Sequence, residues 1–328
     1  MCGFWDGKSV IVPGGAGFIG SSVVDALVAR SARVTVIDDE SSGDFSRLDT
    51  HGPAIRRIRT DVHRIDLREA FRDSDVVLNL AGLAPGLTPD EDRHERLYQE
   101  NLRIADAVLE AAVDARVPRL LVVSSSCVYP DDAPVPTPEL PLEQTEPEQA
   151  NRGYGRAKRE IEKRAIAAAG DVTKITIARP FNACGPRDRA TGPGAHVIPS
   201  LLSKILDPAT EEVVVWGSGR QTRSFLDARD VATALLLLVE THPTPDPVNI
   251  GSSEEISLAD LVPRLMNISG ISKPVRFDTT KPEGALRKGC DASLLRKITG
   301  FVPEYSLDDS LREIVESRIH TPAATANP

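Results

Sequence analysis

Tyr154 and Lys158 stand four residues apart in "GYGRAKRE", which puts both on one face of a predicted helix. A phenol becomes a useful base when neighbouring positive charge favours the phenolate, and an ammonium at this spacing supplies such charge. Upstream, "SSSCVYP" brings an apolar strand to its end at Ser125, Ser126 and Cys127. A thiol there is either a small buried hydrophobe or an acid–base group, and its surroundings decide which.

A second group of residues is built for phosphate. The strand "SVIV" runs into "PGGAGFIG", with Gly14, Gly17 and Gly20 spaced G-x-x-G-x-x-G and Phe18 and Ile19 opening the next helix. The spacing suits a tight turn, close backbone approach to a pyrophosphate and packing of helix on strand. The free amides and positive dipole end of that helix complete an anion site. "VIDD" ends the next strand about 20 residues on, and Asp38 can accept from an adenosine ribose 2′-hydroxyl while repelling a 2′-phosphate. Asp61, between the strands 33–38 and 75–81, can accept from an adenine amine, and Ala81 closes the strand 75–81 at the same site. The expected cofactor is NAD in preference to NADP. Its positive nicotinamide ring would further favour the Tyr154 phenolate.

Positioning these groups requires a particular scaffold. "SVIV" (9–12), "RVTVID" (33–38), "DVVLNLA" (75–81), "RLLVVSS" (119–125) and "KITIARP" (174–180) read as strands buried on both faces. Amphipathic segments at 18–30, 94–116 and 154–169 alternate with them, which predicts an α/β fold with a doubly wound parallel sheet of Rossmann type. After Pro180 the rhythm breaks into a Gly- and Pro-rich stretch over 183–200. A helix in "HVIPSLLSKIL", a strand in "EEVVVWG", a helix at 228–241 and a strand at 247–251 follow. The expected division is a dinucleotide-binding domain over 1–181 and 225–252 and a smaller, discontinuous α/β domain over 182–224 and 253–320. A disordered tail is expected over 321–328.

Bulk composition narrows the partners. The 328 residues carry a net charge of -9, which argues against nucleic acid or an anionic membrane as partner. Cys2, Cys127, Cys184 and Cys290 are scattered without a CxxC pair, so neither a metal site nor a disulfide framework is expected. The polar start and the lack of a long apolar run predict a soluble cytoplasmic protein.

Taken with the glycine turn and Ser125 between them, Tyr154 and Lys158 make the chain resemble the extended short-chain dehydrogenase/reductases, the branch of NAD-dependent nucleotide-sugar epimerases and dehydratases. The resemblance runs over residues 8 to 315. It implies that Tyr154 takes the proton from a sugar hydroxyl as hydride leaves for NAD, that Lys158 holds the nicotinamide ribose, and that Ser125 hydrogen-bonds the same sugar oxygen. Dehydrating relatives commonly carry Asp and Glu where this chain has Ser126 and Cys127. "SSCVYP" is most similar to GDP-L-fucose synthases and GDP-mannose 3,5-epimerases, in which that cysteine moves protons at C3 and C5. His196, in "HVIP", sits where the fucose synthases carry an acid/base histidine. By the same resemblance Asn182, Arg187, Arg223 (in "GSGRQTRSF") and Arg287 grip the sugar diphosphate together with Ser126, with Lys288 a further candidate for the diphosphate or ribose.

The two halves of the resemblance differ. The glycine turn and acidic strand end suit NAD recycled within each turnover, as in the 3,5-epimerases, whereas the substrate half leans toward the fucose synthases, which consume NADPH. The expected activity is an NAD-dependent nucleotide-sugar epimerase: C4 is oxidised transiently, C3 and/or C5 inverts, and C4 is reduced again, on a GDP-hexose. The alternatives are a 4-epimerase of UDP- or dTDP-hexoses with Cys127 a spectator, an NADPH-dependent epimerase-reductase, and a non-catalytic NAD-sensing protein. The resemblance also implies a homodimer through the helices at 94–116 and 154–169.

Overall fold

The structure, a computed structural model, describes residues 3–84, 90–189, 195–281 and 283–320; the tail expected over 321–328 and Cys2 lie outside the described residues. Its elements in chain order are β1 (Ser9–Pro13), α1 (Phe18–Val28), β2 (Arg33–Asp38), β3 (Ile55–Arg59), α2 (Leu67–Phe71), β4 (Val76–Asn79), α3 (Glu91–Asp114), β5 (Arg119–Val123), α4 (Arg152–Ala168) and β6 (Lys174–Pro180). There follow β7 (Asn182–Cys184), α5 (Val197–Leu206), β8 (Val213–Trp216), β9 (Thr222–Asp227), α6 (Ala228–Thr241) and β10 (Val248–Ile250). The chain ends with β11 (Glu255–Ser257), α7 (Leu258–Ser269), β12 (Val275–Asp278), β13 (Arg287–Lys288), α8 (Ser293–Thr299) and α9 (Leu307–His320).

Seven strands form one parallel sheet in the order β3-β2-β1-β4-β5-β6-β10. The apolar runs form its centre because each is covered on both faces. Val23, Val24 and Leu27 of α1 and Leu235 and Leu238 of α6 cover one face. Leu102 and Val108 of α3 and Ala157 and Ile161 of α4 cover the other. The sheet therefore matches the doubly wound expectation, with β2 and β6 at the residues read from the sequence. β3, "IRRIR", is one of the two edge strands, and its exposed arginines explain why no apolar run marks it. Strand order reverses between β1 and β4, so their carboxyl ends diverge and open a crevice there.

A smaller layer is built from β11-β9-β13 with β7 paired to β9, and from the pair β12-β8. Its core joins Ile198 and Leu202 of α5, Leu261 and Leu265 of α7, and Leu311 and Ile314 of α9. β7 overlaps the start of the stretch read as irregular, and three residues are too few to set a period. α8 departs from its neighbours: Leu295, with Phe301 just beyond, joins the core of the large sheet beside α6 and β10. Among the described residues no helix is long and apolar enough to cross a membrane, and no cluster of His, Cys, Asp or Glu is arranged to hold a metal.

Candidate active site

One cavity of about 1380 Å³ runs from the crevice at β1 and β4 into the smaller layer. The glycine turn forms its floor for backbone reasons. Gly14 has φ +76°, and a Cβ there would lie 2.5 Å from the Ala81 amide nitrogen. At Gly20 a Cβ would lie 2.1 Å from the Gly14 carbonyl oxygen. Turn, β4 end and helix thus close on one another only without side chains. Gly17 caps α1 without supplying a side-chain acceptor, which leaves the first amides of the helix for an anion. Phe18, Ile19 and Ala81 line the same wall.

Asp38 ends β2 buried at this wall and accepts from the Ala16 amide at 3.0 Å and the Glu40 amide at 2.8 Å. Burial raises its pKa, and those two amides work against the rise. Asp61 caps the next turn, accepting from the His63 amide at 2.8 Å, and also faces the cavity. Turn, helix start and paired acidic groups fit a dinucleotide lying across the carboxyl ends of the strands.

Beyond the glycine turn, β5 and α4 bring the candidate acid–base residues together. Ser125 begins a short turn after β5, its Oγ accepting from the Cys127 amide at 3.1 Å. Tyr154 and Lys158 lie one turn apart on α4, and Tyr154 lines the cavity with Ser125. Burial pushes the Tyr154 phenol up, the Cys127 charge adds to this, and the Ser125 hydroxyl opposes it. Lys158 Nζ donates to the Val123 carbonyl at 2.8 Å and stands 5.4 Å from the centre of the Tyr154 ring. The ammonium thus meets the ring, tied to the strand by a carbonyl, and burial lowers its pKa to about 8.

Cys127 faces the same cavity, 6% exposed. Its neighbours on the far side are charged: Lys288 Nζ lies 3.8 Å from Sγ and 2.5 Å from Oε2 of the buried Glu148. Burial, then the Glu148 charge, push the thiol up to about 12, while Lys288 and Ser125 pull it down. Ser126 is buried beside it and lines the cavity. His196 lines the cavity at the start of α5 and reaches Asp188 through Nδ1 at 2.9 Å, with its ring 6.4 Å from that of Phe18. Burial works to lower the His196 pKa, but the Asp188 hydrogen bond and charge prevail and raise it. Cys127 is therefore paired with Lys288 and Glu148, and His196 with Asp188 on the glycine-turn side.

Of the diphosphate candidates, Asn182, Arg187 and Arg223 line the cavity. Asn182 donates to the Ser224 carbonyl at 3.0 Å, and Arg187 pairs with Asp25 of α1 at 2.6 Å. Arg223 Nη1 donates to the carbonyls of Thr222 at 2.7 Å and Ala285 at 2.9 Å. Arg287 turns outward to Glu255 at 2.6 Å, and its neighbour Lys288 faces the cavity instead. Sequence reasoning missed Glu148, Arg47 and Lys204. Lys204 lines the cavity two turns after His196 on α5, donates to the Val214 carbonyl at 2.7 Å, and has its pKa lowered by burial. A cationic residue on the helix that carries His196 was the available signal.

The NAD dependent epimerase/dehydratase family matches residues 10–251, and the chain belongs to that family. It is 30% identical over 316 residues to a GDP-L-fucose synthase of Sinorhizobium fredii (strain NBRC 101917 / NGR234), covering 95% of this chain and 96% of the relative. It is also 30% identical over 310 residues to a dTDP-4-dehydro-6-deoxy-D-allose reductase from Streptomyces, covering 92% and 93%. Among solved structures, a UDP-N-acetylglucosamine 4-epimerase from Methanobrevibacter ruminantium M1, in complex with UDP-N-acetylmuramic acid, superposes with a TM-score of 0.84. It is 28% identical and covers 96% of this chain and 99% of that one. A nicotinamide dinucleotide cofactor, NAD or NADP, follows from the family.

Proposed function

We propose that the protein is an NAD-dependent nucleotide-sugar epimerase that oxidises C4 transiently, inverts C3 and/or C5 while C4 is a ketone, and restores the C4 hydroxyl, on a GDP-hexose. The observation that carries this reading is Cys127 in the cavity of Ser125 and Tyr154, with a cation 3.8 Å from its sulfur. A ketone acidifies the neighbouring C–H bonds, and a thiolate held by an ammonium is a suitable base for them. NAD, when bound, supplies the acceptor and donor of hydride. Tyr154 takes and returns the proton of the C4 hydroxyl, Ser125 orients that oxygen, and Lys158 supports the tyrosine ring. Cys127 removes the carbon-bound proton, and His196 is the candidate to protonate the opposite face. Asn182, Arg187, Arg223 and Lys204 serve the diphosphate end. The buried Asp38 supports NAD over NADP. The GDP-hexose is supported by relatives named GDP-L-fucose synthase.

A second reading, an NADPH-dependent epimerase-reductase of a 4-keto sugar, is supported by relatives named synthases and reductases. Either activity fits a homodimer through α3 and α4, which pack on each other and leave Val113 and Ile166 exposed.

Purified protein incubated with GDP-, UDP- and dTDP-hexoses in D₂O without added cofactor tests the reading. Deuterium at C3 or C5 of one sugar, lost in Cys127→Ser, is the expected result. A C4 epimer without deuterium makes this a 4-epimerase. Turnover only with NADPH and a 4-keto sugar makes it the reductase.

A further inference from the structure

We propose that Glu148 and Lys288 together set the protonation of Cys127, Lys288 stabilising the thiolate and Glu148 receiving the thiol proton. The inference rests on Cys127 being the carbon base, as read above. The three groups come from three separate segments: the turn after β5, the loop before α4, and β13. Their side chains converge at 3.8 Å (Sγ to Nζ) and 2.5 Å (Nζ to Oε2), so the Lys288 ammonium bridges the thiol and the carboxylate. Asn151 donates a further hydrogen bond to Oε1 of Glu148. Glu148 and Lys288 are both largely shielded, with side chains 8% and 15% exposed.

This arrangement solves a problem the burial of Cys127 creates. Releasing the thiol proton to water would leave an added negative charge in a dry site, which is costly. Burial works to raise the Glu148 pKa, but the Lys288 charge and hydrogen bond prevail and lower it. Glu148 therefore takes the proton only as Lys288 turns to the thiolate, and the transfer leaves the net charge of the trio unchanged. The S–H bond breaks, an O–H bond forms on the carboxylate, and the Lys288 ammonium changes partner from carboxylate to thiolate. Nothing outside the trio is consumed. The remaining titratable groups facing it are Tyr154 and Lys158 on α4 and Arg223 on β9, which acts on both Glu148 and Lys288.

The test is alkylation of Cys127 by iodoacetamide in the full-length protein with its cofactor, followed by mass of the Cys127 peptide. Glu148→Gln removes the anion that competes for Lys288, so alkylation at about pH 8 should quicken by about tenfold or more, one pKa unit being tenfold in thiolate. Lys288→Met should slow it by about the same factor, and Lys288→Arg should recover most of the rate. A purely structural role would move both variants in one direction. The double variant Glu148→Gln/Lys288→Met leaves no unpaired buried charge, so it controls for misfolding, and it should fall between the two single variants. Deuterium exchange into the substrate should be nearly level with pH around neutrality in the wild type, where the acceptor is internal. In Glu148→Gln it should climb with pH. Shifts of the same sign, or below about twofold, overturn the proposal even when Cys127→Ser abolishes exchange. Exchange that survives Cys127→Ser overturns the base reading itself, whatever the pair variants do.

Discussion

Arg179 grips both carboxylate oxygens of Glu162, Nε to Oε1 at 2.8 Å and Nη2 to Oε2 at 2.7 Å, in a pair buried between β6 and α4. Ser124 donates to the same carboxylate at 2.5 Å, and Arg179 Nη1 donates to the Tyr129 hydroxyl at 2.9 Å. Glu162 lies one turn beyond Lys158, and Ser124 immediately precedes Ser125. The pair therefore fixes the helix that carries Tyr154 against the strand end that carries Ser125 and Cys127. Arg179→Met strands a buried carboxylate and should cost about 3–5 kcal/mol in urea unfolding. Replacing both partners with apolar residues should recover most of that stability but not turnover, because Ser124 then has no anchor. Full recovery of turnover in the double variant would assign the pair to stability alone.

Lys158 gives a pH signature of its own. Its folded pKa is lowered to about 8 by burial, against about 10.4 for an exposed lysine. Between those values the unfolded chain binds a proton that the folded chain lacks, so stability rises with pH across the window. It is lost again as pH falls toward about 8, to an extent of roughly 3 kcal/mol. The urea midpoint of the cofactor-free wild type, less that of Lys158→Met, should climb over that range. A flat difference would mean that Lys158 is solvated in solution.

Tyr154→Phe should retain the fold and bind cofactor within about twofold of the wild type, while turnover falls by about 10²–10⁴-fold, the usual scale of a lost acid–base group. The measurement is initial rate against dinucleotide affinity by fluorescence. Equal turnover in the two proteins would revive a non-catalytic, cofactor-sensing role.

Much of this scaffold was legible in the sequence, because buried parallel strands leave apolar runs and a pyrophosphate turn demands glycines. β2 and β6 fall where the pattern put them, and Gly14 and Gly20 sit where a side chain would strike backbone. The charged part of the site was harder to read. Neighbouring residues on a strand face opposite ways, so nothing in "LRKGCD" tells which of Arg287 and Lys288 enters the cavity; Lys288 does. Glu148 lies in a loop without periodicity, and only the fold reveals that it is buried. The Tyr154–Lys158 spacing placed both on one face of α4, but the carbonyl of Val123 decides that the ammonium meets the ring.

The proposed preference for NAD rests on Asp38, whose carboxylate also ties Ala16 of the glycine turn to the end of β2 at 3.0 Å. Asp38→Ala would remove both functions and confound them. Asp38→Asn keeps an acceptor for the Ala16 amide and removes only the charge that repels a 2′-phosphate. Arg47, whose Nη1 donates to the Ala16 carbonyl at 3.0 Å, is close enough to the turn to receive such a phosphate. Calorimetric titration of the cofactor-free protein should find NAD bound at least about tenfold more tightly than NADP, a difference of about 1.4 kcal/mol. Asp38→Asn should close that gap mainly by improving NADP, and Asp38→Asn/Arg47→Met should reopen it. Tighter NADP binding by the wild type would reverse the assignment of Asp38 and favour the reductase over the epimerase.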